Sequence, residues 1–147
     1  MPERVIASEK IRINAPIEKV WAILLDLPRY PEWNPFTYRV DSTLAIGAPV
    51  DLYVRMRKRG ERVQREYVCT VQAPTTLSWG MTMGHAVVLT ALREQKLERI
   101  DAQSCSYQTS DAFSGALTPL VTYLFGEDIE EGFNAVARAL KAHAEKA

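Results

Sequence analysis

The chain has 147 residues, of which 47% are apolar, and this size and composition predict one globular domain over residues 1–147. Eighteen Lys and Arg residues balance eighteen Asp and Glu residues, and this zero net charge argues against a general binder of nucleic acid or anionic membranes. Two cysteines, no apolar leader at the N-terminus and no apolar run of roughly 20 residues predict a cytoplasmic protein with reduced thiols and no membrane insertion.

The first fifth of the chain predicts a strand followed by two short helices. Residues 4–13 alternate loosely and are rich in Val and Ile, which favours a strand. Asn14 is a candidate cap for the next helix, and Pro16 stands in its first turn. One apolar stripe at helical spacing contains Ile17, Val20, Trp21, Leu24 and Leu25. Pro28 ends this helix, and residues 29–35 leave room for one further short helical turn.

Six more segments read as strands. Their ranges are 36–42, 49–58, 63–72, 77–83, 87–97 and 104–113. Arg59-Gly60 predicts a hairpin turn, and Pro74 separates two of the strands. Within 63–72 the apolar parity contains Val63 and Tyr67, which predicts that Tyr67 faces the interior.

The last predicted element is a long helix. Thr118-Pro119 is a typical helix start, and the apolar pattern extends about 27 residues beyond it. Its apolar side contains Leu120, Leu124, Phe133, Val136 and Leu140. Gly126 and Gly132 each weaken the helix by up to about 1 kcal/mol relative to alanine, so we expect a bend or break near Gly126.

This order of elements predicts an α+β domain with an antiparallel sheet. An apolar sheet face must be covered, and here one long helix is the only large cover. Because a helix is roughly 10 Å wide, it cannot fill a strongly curved sheet of six or seven strands. The sequence therefore predicts an internal cavity, the usual form of a small-molecule site.

Four motifs in order resemble the START-like, or SRPBCC, superfamily, which includes birch-pollen-allergen-like proteins and the polyketide cyclase/dehydrase group. The motifs are Ile13-Asn14-Ala15-Pro16 with Val20-Trp21, residues 30–35, residues 111–117, and residues 132–136 with 139–141. The resemblance covers nearly the whole chain and implies a helix-grip fold, in which the curved sheet wraps a long C-terminal helix around a hydrophobic cavity. It implies little about chemistry, because such folds host many functions.

Large apolar and aromatic side chains are the candidates for ligand contact. By resemblance, the segment around Trp33 and the start of the last helix lie near the cavity mouth. The candidate ligand-binding residues are Trp33, Tyr38, Tyr67, Trp79, Met81, Phe113, Leu117, Leu120 and Leu124. Core packing is the alternative explanation for the apolar ones among them, and the sequence favours neither.

Three side chains are weak candidates for acid–base catalysis: Tyr67, Asp111 and His85. A buried Asp111 would have a raised pKa, although a structural carboxylate is the simpler explanation. His85 and His143 lie far apart and have no Cys or His at ligand spacing, so we expect no metal site and no cofactor.

A basic cluster surrounds the predicted hairpin turn. It consists of Arg55, Arg57, Lys58, Arg59, Arg62 and Arg65. Because Glu61 and Glu66 interleave with it, a solvated hairpin face is favoured over a patch that binds an anion or a partner.

The leading hypothesis for function is binding or transport of a small hydrophobic molecule such as a lipid, a polyketide or an aromatic metabolite. The alternative is a metal-free polyketide cyclase or dehydratase that uses a cavity acid–base group. A protein-interaction module of the same fold is a third possibility, and a homodimer is compatible with each.

Overall fold

The computed structural model describes residues 3–85 and 87–146, which form one antiparallel sheet, two short helices and one long helix. The strands are β1 (Glu3–Ala7), β2 (Ile11–Ile13), β3 (Thr37–Asp41), β4 (Pro49–Met56), β5 (Gly60–Gln72), β6 (Thr76–Met83), β7 (Leu89–Asp101) and β8 (Ser104–Ser114). The helices are α1 (Ile17–Leu25), α2 (Tyr30–Trp33) and α3 (Thr118–Ala144), with a 3₁₀ turn at Leu27–Arg29.

The strand order is β1-β8-β7-β6-β5-β4-β3, and β2 also pairs with β8. The sheet is curved around α3, which confirms the predicted α+β class and the helix-grip arrangement. The strand predicted over 4–13 is two strands, because the regular pairing with β8 is interrupted between Ala7 and Ile11. Ser8 stays attached to β8 there, since its N–H donates to the Thr109 carbonyl and its Oγ accepts from the Thr109 N–H.

Helix α1 buries the stripe that its spacing predicts: Ile17, Val20, Trp21 and Leu24 are buried. The predicted cap at Asn14 is wrong. Pro16 is the N-cap residue, and the Asn14 Oδ1 accepts a 3.2 Å hydrogen bond from Arg12 Nε instead.

Helix α3 runs unbroken through Gly126 and Gly132, so the predicted break is wrong. Burial of residues such as Phe133 and Leu140 against the sheet outweighs the weak helix propensity of two glycines. Gly132 also has a packing role, because a Cβ there would overlap the Phe36 ring. Phe36 in turn meets Phe133 edge to face, with ring centroids 5.9 Å apart.

The interior between sheet and α3 has two different ends. The filled end is solid protein; its side chains include Tyr30, Leu77, Leu97, Tyr107 and Leu140, all at most 1% exposed. The hollow end lies toward the N-terminal half of α3, where the same strands border an open space.

Candidate active site in the cavity

The open space is a cavity of about 380 Å³ between the sheet and α3. Helix α3 contributes Val121, Phe125, Ile129 and Phe133, which recur every four residues and therefore share one face. The opposite wall comes from β4 to β8, and it is mainly apolar. Its apolar members include Leu52, Val54, Met56, Trp79, Met81, Leu89, Ala91 and Phe113. This volume falls in the range of small-molecule sites.

Strand β7 shows how deep the cavity reaches. Leu89, Ala91 and Arg93 line it in turn, whereas Leu97 on the same face belongs to the filled end. Arg93 is four residues after Leu89 along the strand, a distance of roughly 13 Å. The entrance is on the Leu89 side, because Met83, the strand partner of Leu89, lines the cavity and is 47% exposed.

The inner end of the cavity is polar. Glu66, Arg93 and Asp111 are 2%, 6% and 8% exposed, and all three line the wall beside Trp79. Among the described residues, Glu66 Oε1, Asp111 Oδ1 and Trp79 Nε1 have no hydrogen-bond partner. Buried polar atoms are normally paired, so these three are available to a bound molecule.

The surrounding protein holds these side chains in place. Gln64 Nε2 donates to Glu66 Oε2 at 2.6 Å, which leaves Oε1 free. Arg93 Nε donates to Thr109 Oγ1 at 2.8 Å, and its guanidinium carbon lies 4.2 Å from the Phe133 ring centroid. This cation–π contact fixes a charge that has no carboxylate within 4 Å in the described chain.

The two carboxyl groups ionise differently. The pKa of Glu66 is raised to about 8, chiefly by burial and also by the charge of Asp111, while the Gln64 hydrogen bond and Arg93 oppose the shift. Burial also raises the pKa of Asp111 to about 6, against the opposing charge of Arg93. Near pH 7, Glu66 is therefore mainly a proton donor and Asp111 mainly a proton acceptor.

Four of the residues singled out from the sequence lie on the cavity wall. They are Trp79, Met81 and Phe113 among the ligand candidates and Asp111 among the acid–base candidates. All four belong to strands whose alternation places them on the inner face. Whether they contact a ligand stays a prediction.

The expected interior position of Tyr67 is wrong. Tyr67 is 49% exposed, whereas its neighbours Glu66 and Val68 are buried, so the inner face of β5 has the opposite parity. Tyr38 likewise lies outside the cavity. Its hydroxyl donates to Glu61 Oε1 at 3.0 Å, and the Arg55 guanidinium covers its ring.

The other candidates also lie away from the cavity. Trp33 is buried in a groove between α1 and α3, where it stacks on His143 with ring centroids 6.2 Å apart. His85 is exposed in the β6–β7 loop, where its Nδ1 accepts from the Val87 N–H.

The predicted contact residues of α3 are wrong: the cavity is lined by Val121 and Phe125, each one residue after the predicted Leu120 and Leu124. Leu120 is 53% exposed, and Leu117 and Leu124 are half-buried outside the wall, while Val121 and Phe125 face the cavity. The start of α3 carries apolar residues on adjacent faces, so spacing alone does not select between them.

Sequence reasoning missed Glu66 and Arg93. On β5, the inner face carries Arg62, Gln64 and Glu66, and the outer face carries the apolar side chains of Val63 and Tyr67. Placing the apolar residues on the inner face therefore assigned the two faces of β5 the wrong way round. The available signal was the regular polar parity itself, since polar groups turned inward are typical of functional sites.

Within residues 3–85 and 87–146, no three His, Cys, Asp or Glu side chains come together as a metal-binding group. None of the described helices is both long and apolar enough to span a lipid bilayer.

The curved sheet, the long helix and the cavity between them define a helix-grip fold. The chain belongs to the family described as "Polyketide cyclase / dehydrase and lipid transport", which it matches over residues 4–145. No curated protein sequence matches the chain closely enough to count as a relative.

Solved structures share this fold at low sequence identity. The Zhui aromatase/cyclase from Streptomyces sp. R1128 has a TM-score of 0.78 and 16% identity, covering 98% of this chain and 94% of that one. A truncated norcoclaurine synthase from Thalictrum flavum has a TM-score of 0.72 and 13% identity, with coverages of 99% and 96%. A START superfamily protein from Mycobacterium smegmatis has a TM-score of 0.70 and 18% identity, with coverages of 96% and 97%.

Proposed function

We propose that this protein binds a small hydrophobic molecule in its cavity, such as a lipid, a polyketide or an aromatic metabolite. The observation that carries this proposal is a mainly apolar cavity whose inner end holds three buried, unpartnered polar atoms. The apolar part of the ligand would fill the space between Phe113 and Phe125. A polar group of the ligand would form hydrogen bonds with Glu66, Asp111 and Trp79. The family description, which names lipid transport and polyketide chemistry, supports the same class of ligand.

The test is thermal unfolding in the presence of a panel of lipids and aromatic compounds. A ligand that binds only the folded protein raises its melting temperature in a concentration-dependent way. Stabilisation by none of the compounds would contradict the proposal.

A matched pair of variants locates the binding. Ala91 lines the cavity, and Ala91→Leu places a larger side chain in the open space; we expect it to abolish the ligand-induced shift. Ala112 lies on the outer face of the sheet, between Val5 and Leu92 in neighbouring strands, so Ala112→Leu should leave the shift unchanged. An equal response from both variants would place the ligand elsewhere.

A second candidate function is acid–base conversion of the bound molecule, and the paired carboxyl groups favour it. Ionised Asp111 would remove a proton from the carbon beside the carbonyl of a β-hydroxy ketone. Protonated Glu66 would give its proton to the departing hydroxyl group, so that water leaves and an unsaturated ketone forms. Arg93 and Trp79 would stabilise the negative charge that develops on the carbonyl oxygen.

This dehydration is tested with a β-hydroxy ketone that binds, followed by mass spectrometry for loss of water. Glu66→Gln and Asp111→Asn should each keep ligand affinity and lose the conversion. Unchanged conversion in both variants would exclude this chemistry and leave the binding function in place.

A further inference from the structure

The basic residues at the β4–β5 hairpin divide into two groups. Four of them are ion-paired: Arg55 with Glu61, Arg57 with Glu131, Lys58 with Glu127, and Arg65 with Asp51, at N–O distances of 2.7 to 3.4 Å. Arg59 and Arg62 have no acidic side chain within 4 Å in the described parts of the chain. Their charges are therefore free to meet a charge from outside the protein.

Both free arginines point to the same side chain. The guanidinium carbons of Arg59 and Arg62 lie 5.9 and 4.8 Å from the ring centroid of Phe125. Arg59 Nε also donates to the Leu124 carbonyl at 3.3 Å, which holds it beside α3. Because Phe125 is part of the cavity wall, the two charges lie next to the cavity.

Arg62 lies at the entrance of the cavity, and Arg59 lies beside it against the Phe125 ring. Arg62 itself lines the wall and shares the inner face of β5 with Gln64 and Glu66, two and four residues further in. Met83, which also lines the entrance, is 47% exposed. A molecule entering the cavity therefore passes two unpaired guanidinium groups on an apolar rim.

From this arrangement we propose that the cavity takes an amphipathic ligand, whose apolar body lies inside and whose anionic group is held at the entrance by Arg59 and Arg62. This inference rests on the proposed binding function and adds the charge and orientation of the ligand. Guanidinium groups suit phosphate and carboxylate because their planar N–H donors match two oxygens at once. The polar inner end is then left for an uncharged group, such as a carbonyl or hydroxyl.

The test compares two probes with the same apolar chain, decyl phosphate and decanol, by isothermal titration. An extended decyl chain is about as long as the wall from Leu89 to Arg93, roughly 13 Å. We expect wild-type protein to bind decyl phosphate about three- to tenfold more tightly, as exposed ion pairs allow. Raising the salt concentration should reduce this preference, because exposed charges are screened.

The double variant Arg59→Gln/Arg62→Gln should lose the preference for decyl phosphate and keep the affinity for decanol, which also shows that it is folded. Arg55→Gln is the matched control. Arg55 belongs to the same hairpin and also covers an aromatic ring, that of Tyr38, but it lies outside the cavity. The control should behave as wild type.

The outcomes separate the two proposals. Equal binding of both probes to wild type, or an unchanged preference in the double variant, overturns the anionic ligand and leaves the hydrophobic cavity in place. Binding of neither probe, while a compound of the panel stabilises the protein, overturns this inference alone. Binding of neither probe together with no stabilisation by the panel overturns the proposed function and this inference with it. If the protein bound phosphatidylglycerol vesicles through Arg59 and Arg62 but showed no preference between the two probes, the two arginines would contact a membrane surface. That result would overturn the inference.

Discussion

The two ends of the interior treat buried polar groups differently. In the filled end, the Tyr107 hydroxyl lies 2.6 Å from Gln95 Oε1, and the Tyr30 hydroxyl donates to the Leu24 carbonyl at 2.7 Å. In the hollow end, Glu66 and Asp111 each keep a carboxyl oxygen without a partner among the described residues. Elsewhere in the described residues the unpaired buried side-chain atoms are the Trp33 indole nitrogen and the Thr37 and Thr118 hydroxyls, whereas the unpaired carboxyl oxygens all lie in the hollow end. Because an unpaired buried carboxyl oxygen costs more stability than a neutral group, we infer that the hollow end is organised for a bound molecule.

The largest difference between the two ends should appear on one strand. Leu77 and Met81 lie four residues apart on the same face of β6, but Leu77 is fully buried in the filled end and Met81 borders the cavity. Leu77→Ala should lower the free energy of unfolding by about 2–5 kcal/mol, because it creates a new void. Met81→Ala enlarges an existing space and should cost less than about 1 kcal/mol.

Urea unfolding of both variants measures this difference. Equal losses would show that the hollow end is packed as tightly as the filled end. The cavity on which the binding proposal rests would then be in doubt.

The second largest effect concerns pH. Glu66 has a pKa of about 8 in the folded protein against an ordinary value of 4.5. Between these values the folded protein keeps a proton that the unfolded chain has lost, so stability falls as pH rises from about 4.5 to 8. Asp111 acts in the same sense, up to about pH 6.

Glu66→Gln removes the Glu66 part of this dependence. At pH 8 the variant should be more stable than wild type by on the order of 2–4 kcal/mol, whereas at pH 5 the two should be similar. Unfolding free energies at pH 5, 6, 7 and 8 measure the difference. Parallel pH profiles for the two proteins would show that Glu66 is accessible to water or paired.

A smaller loss of stability should follow when a hydrogen-bonded polar group of the filled end is removed. Tyr107→Phe leaves Gln95 without its partner in the filled end and should cost about 1–3 kcal/mol. Tyr53→Phe, on the half-buried outer face, is the matched control and should change stability by less than about 0.5 kcal/mol. If the two variants lost similar amounts of unfolding free energy, the Tyr107 hydrogen bond would not stabilise the filled end as the comparison requires.

This division explains what the sequence predicts well. Helix α1, the strands and the start of α3 follow from periodicity and proline placement, since these signals are local. The filled end follows from the same patterns, because there apolar residues face inward. Resemblance over four motifs adds the helix-grip arrangement, which the described sheet and helix confirm.

The hollow end is predicted less well for a physical reason. On β5 the inner face carries Gln64 and Glu66 while Val63 and Tyr67 point outward, so a rule that places apolar residues inside selects the wrong face. Asp111 is found because it shares its parity in the sequence with Tyr107 and Phe113, which alternation places on the inner face. Phe125 was missed because the apolar residues of α3 occupy two adjacent faces near its start.

The smallest predicted effect concerns how the hollow end is closed. Its hairpin tip is attached to α3 by exposed ion pairs, chiefly Arg57 Nε and Nη2 to the two carboxylate oxygens of Glu131 at 2.7 and 2.9 Å. Exposed pairs contribute little to global stability, so Arg57→Gln, Glu131→Gln and the double variant should each lose less than about 1 kcal/mol. Their double-mutant cycle gives the coupling energy, which should shrink in high salt.

The local effect should be clearer than the global one. The hairpin tip lacks packing of the kind found around Leu77, and these pairs are part of what attaches it to α3. Amide hydrogen exchange at residues 57–62 should therefore become faster in Arg57→Gln. Exchange in the filled end, around Tyr107, should stay as in wild type. Faster exchange at both ends would mean that the sheet opens as one unit, and the two ends would then be a single cooperative core.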